Sequence, residues 1–223
     1  MALPKQYAQI DEWKTLIFLY TSALKEIGTK IEILNDEFVH VHNYNPIEHV
    51  KSRIKSPESI VRKLRKQGHE ETIENMQKYL HDIAGIRIIC SFSSDIYRIA
   101  QMIANQDDVI VLQIKDYIKH PKPNGYKSYH MVVSIPVFLS DGPVDTKVEI
   151  QIRTIAMDFW ASLEHKIYYK YEGMTPAHIQ DDLKACAEIG RESCRELDDR
   201  MLALNELVQE MNVSDRPDSP ELA

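Results

Sequence analysis

His81-Asp-Ile-Ala-Gly-Ile-Arg-Ile-Ile-Cys-Ser-Phe92 is the stretch whose reading decides the fold. From Ile83 to Phe92 it is nearly all apolar and rich in β-branched residues, which predicts a strand buried on both faces. The flanks read as helices, roughly 70–81 before it and 93–105 after it. A buried strand set between helices predicts a layered sheet covered by helices rather than a bundle or a sandwich. Residues 48–55 read as a short strand, with Val50 and Ile54 on one face and Lys51, Arg53 and Lys55 on the other. Ser56-Pro57 then gives a cap followed by proline at the first helical position, so a helix is predicted from residue 57. A strand near 108–117 leads into a Pro/Gly/Asn loop over 118–127. Two alternating strands follow, 129–138 and 144–153, joined by Ser140-Asp-Gly-Pro143. Helices are predicted at 154–171 and 176–211. The expected fold class is α/β (α+β): a mixed sheet of about five strands flanked by helices, with long N- and C-terminal helices.

The ends carry helical seams. Ile10, Ile17, Leu24, Ile31 and Phe38 recur every seven residues, interleaved with Trp13, Tyr20, Ile27, Leu34 and Val41. A seam of that kind predicts a partner helix to cover it. Asn43-Tyr-Asn-Pro46 stops the first helix, because Pro46 cannot continue it. Near the other end, Cys194, Leu197, Met201, Leu204, Val208 and Met211 form a second seam. The expected organisation is an N-terminal helix over 1–44 for packing or oligomerisation and an α/β domain over 45–172. A C-terminal helix over 173–212 for oligomerisation and a disordered tail over 213–223, with Pro217 and Pro220, complete it.

Composition narrows the function classes. The chain has 223 residues, 43% of them hydrophobic and 27% charged, which describes a globular protein with a real core. Seven glycines are few, which disfavours a loop-rich all-β fold. Neither a leader nor a membrane-spanning run is visible, so a cytoplasmic protein without membrane attachment is expected. Cys90, Cys186 and Cys194 form no Cys-x-x-Cys pair, which argues against a disulfide framework or structural zinc. The net charge of −7 argues against a general polyanion binder, but it is unevenly spread. Residues 51–66 carry a net +6, while residues 172–223 carry −8.

That basic stretch contains Lys51, Arg53, Lys55, Arg62, Lys63, Arg65 and Lys66, with Ser59 among them. Cations converging beside a helix start suit several phosphates, whereas a charge run alone is usually a solvated face. Asp82 lies where a helix hands over to the buried strand, a good place for a metal-holding carboxylate or for a simple turn cap. Arg87 interrupts an apolar strand and needs a partner, either a phosphate, a base face or a carboxylate such as Glu149. The loop Lys119-His-Pro-Lys122-Pro-Asn124-Gly125-Tyr126-Lys127-Ser-Tyr-His130 presents tyrosine among cationic groups, which suits base stacking with phosphate contacts. In Thr146–Arg153 the apolar residues 148, 150 and 152 face the core, so Glu149, Gln151 and Arg153 share the outer face. If the sheet brings Glu149 near Asp82, the pair is suited to holding Mg²⁺ and orienting a hydroxyl. Trp160, Glu164 and Tyr168 fall on one helical face with His165 beside them. The tyrosine and tryptophan suit packing, and the roles of Glu164 and His165 stay open.

Taken in order, Arg53-x-Lys55, Asp82-Ile-Ala-Gly-Ile-Arg87, Pro121-Lys-Pro-Asn-Gly-Tyr126-Lys-Ser-Tyr-His130, Glu149-Ile-Gln-Ile-Arg153-Thr and Trp160-Ala-x-x-Glu164-His165 resemble the synthetase domain of the RelA/SpoT homologue family. The resemblance spans about residues 48–170, and the flanking helices look most similar to small alarmone synthetases of the RelQ type. It implies a nucleotidyltransferase-like fold and a GTP pyrophosphokinase: pyrophosphate transfer from ATP to the 3′-hydroxyl of GTP or GDP, giving (p)ppGpp and AMP in the stringent response. Synthesis without hydrolysis is implied. Arg53 and Arg87 would sandwich adenine, and Lys55, Ser59, Arg62 and Lys63 would hold ATP phosphates. Asp82 and Glu149 would hold Mg²⁺, with Glu149 also orienting or deprotonating the hydroxyl. Lys122, Asn124, Tyr126, Lys127, His130 and Gln151 would serve the acceptor, Tyr126 by stacking on guanine, while Arg153, Glu164 and His165 support the site. Lys127 departs from the arginine of many relatives, which keeps the charge and loses the planar fork. The RelQ likeness further implies a homotetramer, (p)ppGpp as allosteric activator, and single-stranded RNA as a regulatory partner.

Two other functions compete. One keeps the chemistry and changes the acceptor to a tRNA 3′ end, which a broader positive surface would favour. The other is an RNA-binding regulator with a degenerate site, against which Asp82, Tyr126 and Glu149 stand intact.

Overall fold

A computed structural model describes residues 5–122 and 124–169, together with scattered positions between 182 and 211. Among the described residues up to 169 the elements follow in order: α1 (Lys5–His42), β1 (Ile47–Ile54), α2 (Pro57–Lys66), α3 (Ile73–Tyr79), β2 (Ala84–Cys90), α4 (Ser93–Ala104), β3 (Ile110–Asp116), β4 (Tyr129–Leu139), β5 (Gly142–Thr154) and α5 (Ile155–Tyr169). The elements predicted up to residue 171 are all present within a few residues of their expected bounds. The expected C-terminal helix and tail lie largely outside the described residues; the positions described between 182 and 211 are helical. The chain divides into two units. One holds the chain up to Lys122 together with Lys127–Thr154, and the other holds Pro123–Tyr126 and everything from Ile155.

The first unit is built on a five-stranded mixed sheet in the order β1-β2-β5-β4-β3. β2 runs parallel to β5, and the remaining pairs are antiparallel. β5 is the central strand, flanked by β2 and β4, and β2 is almost wholly apolar, as expected for a strand covered on its faces. On one face Ile86, Ile88, Met131, Val133, Val148, Ile150 and Ile152 are all buried. Burial of that aliphatic layer, at about 25 cal/mol per Å² of apolar surface, is the main force holding α1 and α4 to the sheet.

The seam of α1 is covered differently from the expectation. Leu16, Leu19, Tyr20, Ala23, Leu24, Ile27, Ile31 and Phe38 are buried, whereas Val41 is exposed. The helix lies on the sheet of its own unit, touching β1, β2, β4 and β5, with α3 and α4 at its sides. A sheet presents a broad face, so the buried stripe widens to residues three and four apart instead of keeping a narrow heptad seam. No second helix is needed to cover it.

Local signals act as read. Ser56 Oγ accepts from Ser59 N at 3.4 Å and Pro57 opens α2. Thr72 caps α3 by accepting from Asn75 N at 3.2 Å. The β4–β5 hairpin closes at Leu139 and Gly142 with Ser140-Asp141 between them, and Gly142 has φ 122, a conformation that favours glycine. The strand of β5 therefore begins two residues earlier than predicted.

Candidate active site

Strand register assembles the chemistry on the opposite face of the sheet. Lys51 pairs with Arg87, Arg87 with Gln151, Gln151 with His130, and His130 with Lys115. One step along, Arg53 pairs with Gly85 and Gly85 with Glu149. A period of two along each strand brings these polar side chains to one surface. Lys55 follows β1 directly, its N bonded to Ile83 O at 2.8 Å, which draws the end of β1 against the segment bearing Asp82.

Asp82 is the electrostatic centre. Lys55 Nζ donates to Oδ2 at 2.6 Å, and Lys63 Nζ, from α2, lies 2.7 Å from Oδ1. Burial alone would push the Asp82 carboxyl up, but hydrogen bonds and positive charge from Lys55 and Lys63 outweigh it and hold the group below the usual aspartate range. Glu149 is balanced in the same way. Burial raises it, and the stronger combined effect of His130 and Gln151 lowers it, with the Asp82 charge opposing. Gln151 Nε2 donates to Glu149 Oε2 at 2.9 Å, while His130 Nδ1 stands 3.6 Å from Oε1. Both carboxylates are therefore ionised at neutral pH.

The other expected residues divide between the two units. Arg53 and Arg62 are exposed, Ser59 is half-buried, and Arg62 Nη2 donates to Ser59 Oγ at 3.3 Å. Arg87 is half-buried beside Gln151. Arg153 is buried, donating from Nε to Ser128 Oγ at 3.3 Å and from Nη2 to Gln151 Oε1 at 3.1 Å. Lys122 Nζ stands 4.7 Å over the Tyr117 ring, which meets His130 edge-on at 5.2 Å. Lys127 is half-buried. In the second unit, Asn124 Nδ2 donates to Glu164 Oε1 at 3.2 Å, and Asn124 Oδ1 accepts from Tyr126 N at 3.2 Å. Gly125, at φ 84, allows the turn that presents half-buried Tyr126. The side chain of His165 lies outside the described residues.

Three residues here had no assigned role in the sequence. Ser128 anchors Arg153, Tyr117 carries Lys122, and Lys147 Nζ donates to Gln77 O and Lys78 O at 3.0 and 3.1 Å. Only Lys147 left a signal, since it shares the outer face of β5 with Glu149. Among the described residues no group of three His, Cys, Asp or Glu side chains is placed to hold a metal ion.

Residues 52–174 match the family model described as the region found in RelA / SpoT proteins, more than half of the chain. The chain belongs to the RelA/SpoT family. It is 48% identical over 199 residues to the GTP pyrophosphokinase YwaC of Bacillus subtilis, covering 89% of this chain and 93% of that one. The fold is similar to the small alarmone synthetase 2 structure from the same organism, with TM-score 0.76 and 46% identity over 87% of this chain and 98% of the other. It is also similar to B. subtilis small alarmone synthetase 1 bound to its product pppGpp, with TM-score 0.77 and 34% identity over 88% and 98% of the two chains. The two structures are small alarmone synthetases, the branch of the RelA/SpoT family to which the flanking helices pointed.

Proposed function

We propose that this protein is a GTP pyrophosphokinase that moves the β,γ-pyrophosphate of ATP to the 3′-hydroxyl of GTP or GDP, releasing (p)ppGpp and AMP, with no hydrolase activity. The observation that carries the reading is the pair of ionised carboxylates, Asp82 and Glu149, set on a sheet face rimmed by Lys55, Lys63, Arg87 and His130. Transfer of a phosphoryl-type group depends mainly on positioning and charge neutralisation, and both are available there.

In this reading the acceptor's 3′-oxygen attacks the β-phosphorus of ATP. The bond from that phosphorus to the α,β-bridging oxygen breaks, AMP leaves, and the hydroxyl proton passes to Glu149. Glu149 suits the task because it is ionised at neutral pH and keeps Oε1 turned toward His130, 3.6 Å away. Lys55, Ser59, Arg62 and Lys63 gather at the start of α2, where backbone N–H groups also favour the ATP phosphates. Arg53 and Arg87 would stack on adenine. Lys122, Lys127 and His130 would meet the acceptor's phosphates, Tyr126 would stack on guanine, Asn124 would shape that loop, and Glu164 and His165 would support it.

Mg²⁺ fits the donor set at Asp82 and Glu149. Two carboxylates are hard oxygen donors, and Mg²⁺ commonly takes one or two of them and completes its shell with substrate phosphates and water. When bound it would neutralise charge on the transferring group. Lys55 and Lys63 balance Asp82 on the protein's side of the same problem.

The family likeness further supports a homotetramer with (p)ppGpp as activator and single-stranded RNA as regulator. In the C-terminal segment Leu197, Met201, Leu204, Val208 and Met211 are exposed at helical spacing, which suits self-association. A cytoplasmic site of action agrees with the absence, among the described residues, of a helix long and apolar enough to cross a membrane.

Incubation with ATP and, separately, GTP, GDP, GMP or deacylated tRNA tests the reading. AMP with a 3′-pyrophosphorylated guanosine nucleotide is the expected product. AMP formed only with tRNA would shift the acceptor, and no AMP with any acceptor would overturn the proposal.

A further inference from the structure

Glu149, Gln151 and Arg153 lie at alternate positions on the outer face of β5, and a continuous run of hydrogen bonds joins them. Arg153 Nη2 donates to Gln151 Oε1 at 3.1 Å, and Gln151 Nε2 donates to Glu149 Oε2 at 2.9 Å. A guanidinium has only donors and a carboxylate only acceptors, so an amide held between them has one satisfactory orientation. Its oxygen must face the arginine, and its N–H₂ must face the glutamate. Arg153 is itself fixed: it is 4% exposed, and its Nε donates to Ser128 Oγ, whose hydroxyl donates to Ile152 O at 3.3 Å. A buried guanidinium is tolerated only where its donors are used.

We propose that Gln151 and Arg153 are positioning residues, which hold one oxygen of Glu149 so that the other is aimed at the reacting hydroxyl. The inference rests on the role of Glu149 proposed above. It separates Gln151 from acceptor binding, the role that the family likeness implies for it: both ends of its amide are engaged within β5. The chain of bonds begins at a buried anchor and ends at the reacting group. It restricts the Glu149 carboxylate to one rotamer before substrate arrives, and such preorganisation lowers the barrier rather than the ground-state binding energy.

Steady-state kinetics with ATP and GTP on the full chain test this. Gln151→Glu keeps the shape and the bond to Arg153 but removes the donor to Glu149; Gln151→Met removes both polar ends. Each is expected to lower kcat by about 10- to 100-fold, the range for losing a hydrogen bond to a charged group, with KM for GTP within about two-fold of the parent. Arg153→Met should lower kcat by a similar factor, and Arg153→Lys, which can still donate to the amide oxygen, should restore most of it. Thermal melts of the Gln151 variants matching the parent would separate positioning from unfolding. A tenfold rise in KM for GTP at unchanged kcat would make Gln151 an acceptor-binding residue and overturn the proposal, as would unchanged kinetics in both Gln151 variants. A parent protein that releases no AMP would overturn the proposed function itself, and this inference with it.

Discussion

Asp82 and Asp95 are both drawn away from water, and their surroundings send them in opposite directions. At Asp82 two lysines outweigh burial and keep the carboxylate ionised. At Asp95, 2% exposed, burial pushes the group above the ordinary aspartate range, and the bond from Tyr44 at 2.7 Å together with nearby Arg98 only partly offsets it. Burial likewise raises the Cys90 thiol, and the charge of Asp95 adds to the effect. Because the folded protein favours protonated Asp95, this group adds stability at pH below the unfolded value of about 4 and loses it as pH rises through the folded value. Asp95→Asn keeps an acceptor for Tyr44 and removes the titration. Denaturant unfolding at pH 4.5 and 7.5 should show the variant gaining on the parent at the higher pH. A stability difference that does not change between those conditions would contradict it.

At the scale of elements, α3 and β5 are tied by Lys147, whose ammonium takes the last carbonyls of α3 at Gln77 and Lys78. A cation at a helix C-terminus is favourable, and this one also anchors the segment leading from α3 to Asp82. Lys147→Ala should lower stability by about 0.3–1 kcal/mol, measured by urea unfolding, and reduce kcat for AMP release more than it changes KM. Lys147→Met with full stability and full kcat would contradict that role. Most elements were legible in the sequence because their signals are local. Ser56-Pro57 starts α2, Pro46 follows the end of α1, a nearly continuous aliphatic run marks β2, and apolar–polar alternation marks β5. The partner of α1 was not legible. A seven-residue repeat tells which face is apolar, but a sheet and a helix can both cover it, and Ile27 and Ile31 turn out to lie over a sheet.

For the molecule as a whole, the −7 net charge conceals a division of labour. The +6 stretch over 51–66 runs along an edge strand into a helix start, and it delivers Lys55 and Lys63 to Asp82 from two different elements. The motifs were legible in order because each is a short run of neighbouring residues. What the motifs could not reveal was register. The pairing of Gly85 with Glu149, which brings the two carboxylates onto one surface, is set by long-range strand contacts. Nor could they reveal that Gln151 is held between Glu149 and Arg153, since alternation shows a shared face and not a bond. The central claim is that Glu149 acts on the acceptor hydroxyl while the remaining groups bind and neutralise. Its most direct test is AMP release from ATP and GTP by Glu149→Gln, with nucleotide binding measured in parallel. The expected result is a loss of about 100- to 10,000-fold in turnover, the usual contribution of a positioned acid–base group, with both nucleotides still bound. Turnover within about tenfold of the parent would contradict it.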